Sequence, residues 1–544
     1  MERFIENYNR ETFDIIIIGG GITGAAVAYD ASCRGLKVAL LEKSDFGGAT
    51  SSATSKLIHG GLRYLNNFEF GLVRESLRER RILSNIAPNF VYPLPFMIPT
   101  YKSFKSNKLL LLAAMMLYGI LSYDKKFTWD DSKKLPMFKI ISKKKTKVLE
   151  PNVKTKGLTG STIYYDCQNI FPERLTLSFI KSAVNKGAKV SNYSYVRSFL
   201  FDDKDNICGV KVKDMISCTE HEIKASLVIN CGGTWADIIL KKAKKGVDEN
   251  YQIKRSEGIH IITRKMINEN AIAMMNRKGR HFMIMPWRNY SLIGTTDIEY
   301  HGNPDEYRVP KKSILELIDD VNRGYGAEKL TYDDIIFAYG GLRPLVDDQT
   351  DGSYKSSRKY EIYDNAKDKL NGMITVEGGK YTTSRNLAEN VLKMVQKKLG
   401  KTLPDSKTDN KYLFGCEIKN MEMFMEELHN EFSDFSHETI EYIGMNYGTE
   451  SSQVLELARK DKALGEVMTE DGEILAEVIY AVKNEMALTL TDIIFRRTGI
   501  GTLGNPGIAK LQKVANCAAK LLNWDNIKIE SEISLAMEKL ALPV

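Results

Sequence analysis

Cysteine is scarce in this 544-residue chain. There are seven (Cys33, Cys167, Cys208, Cys218, Cys231, Cys416 and Cys517), odd in number, scattered and never spaced as CxxC. That pattern excludes a disulfide framework and offers no spacing for zinc or an iron–sulfur cluster, so no metal centre is expected and a reducing interior is. A dominant charge is missing as well: 77 basic against 69 acidic residues leave +8, a slight bias towards anionic ligands or an anionic surface. The opening MERFIENYNRETFD has acids and no apolar h-region, so no secretory signal is read. No apolar run is long enough to cross a bilayer. The longest, LLLLAAMMLYGIL at 109–121, has 13 residues where spanning needs about 20. Two readings of it stay open, a buried core helix or a segment in the membrane interface with flanking lysines at the headgroups. Nucleic acid is not expected, because SKKKTK (142–147) reads as a solvated loop and no basic groove has interleaved aromatics.

What is present begins at DIIIIGGGITGAAVAYDASCRGLKVALLE (14–42). Four successive isoleucines read as a strand buried on both faces. Gly19, Gly21 and Gly24 fit G-x-G-x-x-G at the head of a small-residue helix whose first turn holds Ile22 and Thr23. The first glycine allows the tight turn, the second admits a pyrophosphate, and the third lets helix and strand pack closely. The helix N-terminus offers unpaired N–H groups to that anion. Glu42 ends the second strand, placed to accept from ribose hydroxyls. This unit specifies a dinucleotide, NAD or FAD. The loop that follows, KSDFGGATSSATSKLIHGGLRYL, is rich in small residues, as a chain running back over a flavin would be. It delivers Arg63 and Tyr64 at the head of an expected amphipathic helix.

These residues resemble the FAD-dependent glycerol-3-phosphate dehydrogenases. The resemblance continues in PWRNYSLIGTTDIEY (286–300), GGLRPLVDD (340–348) and VEGGKYTTSRNLAEN (376–390), and thins after about residue 400 to TLTDIIFRRTG (489–499). It implies an α/β architecture: a Rossmann-like FAD-binding domain, an inserted antiparallel-sheet substrate domain and a C-terminal α-helical domain. The expected boundaries are 1–90, 150–240 and 335–400 for the first, 91–149 and 241–334 for the second, and 401–544 for the third, with a linker in 397–411. FAD would be held by Gly19, Gly21, Ile22, Thr23, Gly24, Glu42, Lys43, Thr50, Ser51, Ser52, His59, Gly60, Gly61, Gly232, Gly379, Lys380 and Thr382, and by the backbone of Val196 at the adenine. Lys380 precedes an amphipathic helix whose N-terminus, with Thr382 and Thr383 in its first turn, would face the flavin N1/C2 carbonyl, where charge gathers on reduction.

The cations suggest the substrate. Arg63, Arg343, Arg358 and Lys380 lie in motifs punctuated by glycine or rich in polar residues, and arginine forks match a phosphate monoester. Tyr64 is a further candidate for the phosphate. Oxidising an alcohol needs a base and a hydride path to flavin N5. His260, in SEGIH, is the best base by type, and Arg343 or Lys380 would stabilise the developing alkoxide. The family usually has Lys-Gly upstream of this histidine, whereas Glu257 precedes Gly258 here. The expected reaction is sn-glycerol 3-phosphate to dihydroxyacetone phosphate, with electrons passed to a quinone or another acceptor. The expected location is the cytoplasm, peripheral attachment to the cell membrane and the oligomeric state being left open. Rival readings are an amine or amino-acid oxidase of the same fold and a non-catalytic flavoprotein scaffold.

Overall fold

The computed structural model describes residues 1–102, 108–243, 252–276, 279–326, 328–345 and 360–544. Its first sheet is built around the isoleucine run. Ile15, Ile16 and Ile17 have no exposed surface, and each contributes about 1.5–3 kcal/mol by burial. Their strand, Thr12–Ile18, lies parallel between Val38–Leu41 and Glu220–Asn230, and Lys189–Ser191 and Met373–Gly378 extend the parallel set outward. Helices Ile22–Cys33, Pro172–Asn185 and Ser384–Leu399 pack on one face, and the antiparallel strands Ser194–Phe201 and Ile207–Asp214 cover the other. Alanines 25, 26, 28 and 31 are buried, which lets those helices approach closely.

The second sheet has ten strands and is antiparallel apart from one parallel pair, Ala271–Met275 with Val91–Tyr101. At its centre Lys254–Thr263 runs between Tyr290–Gly294 and Ile335–Leu345. A strongly amphipathic helix, Lys311–Gly324, packs behind it. From Met421 onward the chain is almost wholly helical, with its own cores. Among the described residues no helix is long and apolar enough to cross a membrane.

Several expectations need revision. The helix expected at Arg63 starts later: Leu62–Asn67 is a 3-10 turn, Phe68 takes φ +58°, and the α-helix spans Phe70–Ile86. Asn67 suits such a break, since an asparagine side chain competes for backbone hydrogen bonds. Strands Leu57–Ile58, Leu158–Asn169 and Ile335–Leu345 belong to the second sheet, although they fall within the ranges expected for the nucleotide domain. Leu158–Asn169 pairs along the whole of Val91–Tyr101, and so long a ladder fixes its sheet. The run at 109–121 fits neither reading alone. It lies in helix Lys108–Leu121, with Met115 and Tyr118 in the core while Leu110, Met116 and Ile120 are 63%, 53% and 68% exposed.

Candidate functional site

The two sheets and the glycine turn enclose one cavity of about 1310 Å³. Ligand pockets usually hold about 300–1,000 Å³, so this one has room for a dinucleotide and a second molecule. Among the described residues it is lined by Lys43, Arg63, Lys154, Lys156, Lys242, Arg308, Arg343 and Lys380 against two acids, Glu42 and Asp305, and so favours anions.

At the nucleotide end the glycines are required by space. A Cβ on Gly19 (φ +108°) would lie 2.5 Å from Cys231 O, and one on Gly24 would lie 1.9 Å from Gly19 O. The first-turn N–H of Ile22 donates to Ser51 Oγ (2.9 Å), so the small-residue loop is tied to the helix N-terminus. Glu42 accepts from the N–H groups of Gly20 (2.7 Å) and Ser44 (2.9 Å), which fixes the carboxylate and leaves acceptor capacity towards the cavity. Thr50 Oγ1 donates to Leu342 O (2.7 Å), joining the loop to the second sheet. Gly21, Ile22, Thr23, Lys43, Ser52, Val196, Gly232, Gly379 and Thr382 also line the wall. Lys242 Nζ donates to the Val196 carbonyl. Lys43 pairs with Asp305 and lies 4.3 Å from the Trp235 ring centre, forming a rim. These glycine cradles, the helix N-terminus and the terminal acid fit FAD.

At the other end Arg63 Nη2 donates to Tyr64 Oη (3.3 Å), and the Arg63 guanidinium and Lys380 Nζ each lie 5.0 Å from the Tyr64 ring centre. Lys380 Nζ also donates to Ser76 Oγ and Leu72 O, and burial pushes its pKa down. Gly61 takes φ +72° where a Cβ would strike the Tyr64 ring. His59 Nδ1 accepts from Gly61 N–H (3.0 Å), which assigns its proton to Nε2. Burial first, then Lys380, Arg63 and Arg80, push its pKa down to about 4 despite the opposing charge of Asp166.

His260 is 1% exposed and lies parallel to Tyr339, ring centres 5.1 Å apart. Its Nε2 meets Ser55 Oγ at 2.8 Å, and its buried Nδ1 has no partner among the described residues. Burial, with Arg343 and Lys56 nearby, holds its pKa well below the ordinary value, so the imidazole is neutral. Arg343 donates to Thr295 Oγ1, Thr296 O (3.1 Å) and Asp297 Oδ2 (3.4 Å). A Cβ on Gly258 would overlap its guanidinium, which explains the glycine before His260. Glu257 points away to Ser313 Oγ (2.7 Å), and burial raises its pKa.

Of the residues singled out by sequence, Gly24 and Gly60 stand behind the wall. Gly60 packs where a Cβ would meet Leu77 and Tyr118 at 2.3 Å. Arg358 lies outside the described residues. Sequence reasoning missed Ser55, Thr295, Asp297 and Tyr339. The first three sit inside motifs already quoted, but a serine or threonine carries no distinctive spacing. It also missed His281, a wall residue whose pKa is lowered by burial and by Arg63. Away from the cavity, His429, His437 and Glu441 bring three potential ligand atoms within 4.8 Å. The two imidazoles stack in parallel at 4.6 Å and His429 Nε2 already meets Glu441 (3.0 Å), so the rings do not aim at one point.

Fold and site define a dinucleotide-binding oxidoreductase with a Rossmann-like nucleotide domain. The pattern of the FAD-dependent oxidoreductases matches residues 14–385, and that of the C-terminal domain of α-glycerophosphate oxidase matches 406–529. A glycerol-3-phosphate dehydrogenase of Synechocystis sp. is 35% identical over 98% of this chain and 97% of the relative. The aerobic glycerol-3-phosphate dehydrogenase of Staphylococcus aureus is 30% identical over 92% of this chain and 88% of its own. The structure of a glycerol-3-phosphate dehydrogenase from Bacillus halodurans with FAD superposes with TM-score 0.79 at 25% identity, covering 98% of this chain and 96% of that one. The chain belongs to the FAD-dependent glycerol-3-phosphate dehydrogenase family.

Proposed function

We propose that this chain oxidises the secondary alcohol of sn-glycerol 3-phosphate to dihydroxyacetone phosphate in the cavity. The observation that carries the reading is that one cavity brings neutral, buried His260 together with Arg63, Arg343 and Lys380 beside a dinucleotide cradle. FAD, when bound along the glycine turn, supplies the two-electron acceptor for the substrate carbon. Arg63 and Lys380 neutralise the phosphate, with Tyr64 holding both cations in place. His260, neutral and braced at Nε2 by Ser55 Oγ, takes the hydroxyl proton. Arg343 stands near that proton transfer, its fork fixed by Thr295 and Thr296, and stabilises the alkoxide. His59 offers a neutral Nε2–H donor to the same end of the cavity.

Electrons leave to a quinone or another acceptor, with the enzyme resting on a membrane surface. The exposed stripe Leu110, Met116 and Ile120, continued by Tyr123 and Phe127 beside Lys125 and Lys126, has the composition of an interfacial segment. Turnover with a water-soluble dye tests the substrate: glycerol 3-phosphate reduces the dye, while glycerol and amino acids do not. Amino-acid turnover without glycerol-3-phosphate turnover would sink the reading. In vesicle flotation Met116→Glu with Ile120→Glu should release the protein while dye reduction persists.

A further inference from the structure

The loop after Glu42 is held from two directions. On its inner side Gly47 N–H donates to Gly20 O (3.0 Å), and Ser51 receives the Ile22 N–H, so the loop is shaped against the glycine turn. On its outer side Asp45, 2% exposed, reaches into the C-terminal helical domain. Arg497 Nη1 and Nη2 donate to its two oxygens, each at 2.8 Å, and Arg496 Nε adds a bond at 2.5 Å. Asn192 Nδ2 donates a further bond at 3.1 Å. Arg496, 11% exposed, also pairs with Asp492 (2.5 Å), so two guanidinium groups and two carboxylates balance in a largely buried cluster. The arginine pair holds the Asp45 carboxyl far below the usual carboxylate range. Phe46 follows directly and packs under the glycine turn, 2.7 Å from where a Gly20 Cβ would stand.

We infer that Arg497, with Arg496, is a positioning residue for the cofactor loop, and that the C-terminal domain thereby governs how tightly FAD is retained. A bidentate fork fixes direction as well as distance. Without it Asp45 is a buried carboxylate stripped of its main partner, and the cheapest relief is for the loop to move outward towards water. Phe46 and Gly47 move with it, and the cradle at Gly20 loses its backing. The inference rests on FAD occupying the cavity and not on which substrate is oxidised, so a failed substrate assignment leaves it standing.

The test uses the full-length chain loaded with FAD, without substrate. Flavin release after dilution is followed by free-flavin fluorescence, and unfolding by circular dichroism. Arg497→Met and Asp45→Asn should each release FAD about tenfold faster, a usual size for coupling between sites. Arg497→Lys should fall between them and wild type, and the double variant should release no faster than the worse single one. Arg288→Met is the control. It breaks another buried cross-domain pair, with Glu473 and Asp471, at a residue outside the cavity wall. It should lower the unfolding midpoint comparably and leave release unchanged. Release by Arg497→Met that equals wild type, or that Arg288→Met reproduces at equal loss of midpoint, overturns the inference. If Arg497→Met does not fold, Arg497→Lys and Asp45→Asn carry the same comparison.

Discussion

At the scale of single residues, burial decides what His59 and His260 do. Both are desolvated beside cations, so both are neutral at ordinary pH. Removing the base should therefore be costly: His260→Asn is expected to lower kcat by about 10²–10⁴-fold, with the KM for glycerol 3-phosphate little changed in steady-state assays. Arg63→Met should do the reverse, raising KM by about 10–100-fold through loss of a charge-assisted hydrogen bond. His59 makes a stability prediction. Its pKa falls from 6.5 unfolded to about 4 folded, so the unfolded chain binds the extra proton. Stability is then present above pH 6.5 and lost as pH falls towards 4, by at most about 3 kcal/mol. His59→Asn should flatten that part of the pH profile in denaturant titrations; an unchanged slope would show that His59 is not buried neutral. His59, His260 and Arg63 could be found from sequence because they sit in quoted motifs and their residue types announce chemistry. Ser55 and Asp297 could not, since their role is a contact across strands far apart in the chain.

At the scale of elements, the nucleotide unit was read almost whole. Strand, glycine turn, helix, second strand and Glu42 follow one another locally, and each glycine answers a collision that the backbone dictates. Gly24→Ala should be severe, because the new methyl would lie 1.9 Å from Gly19 O and nothing flexible can yield. An overpacking cost of about 1–3 kcal/mol or more is expected, seen as a lower unfolding midpoint and poor flavin content. Helix Phe70–Ile86 began later than expected because a 3-10 turn and left-handed Phe68 intervene. Helix Lys108–Leu121 showed why hydropathy alone does not fix placement: thirteen apolar residues can bury one face and expose the other.

At the scale of the whole molecule, the sequence was least informative where sheets exchange segments. Leu158–Asn169 and Ile335–Leu345 join the second sheet through pairing with distant strands, which no local pattern specifies. The joint with the C-terminal domain was also invisible. It is built from buried ion pairs among Arg174, Lys181, Glu450 and Glu485, beside the Asp45 cluster. Glu477 lies in the same region, where burial and Glu473 push its pKa up to about 8 although Tyr447 Oη donates to it at 3.0 Å. Its folded pKa exceeds the unfolded one, so its contribution falls as pH rises from 4.5 through 8, by at most about 5 kcal/mol. Glu477→Gln should therefore gain unfolding temperature relative to wild type between pH 7 and 9; a loss at pH 9 would contradict the assignment.

The central claim is that the cations and the neutral histidine serve oxidation of a phosphorylated alcohol. The most direct measurement is anaerobic: glycerol 3-phosphate is added to the FAD-loaded protein and the visible flavin absorbance is followed. Rapid bleaching is the predicted result, slowed strongly by His260→Asn. A flavin that stays yellow with glycerol 3-phosphate, or that bleaches with an amino acid instead, would contradict the account.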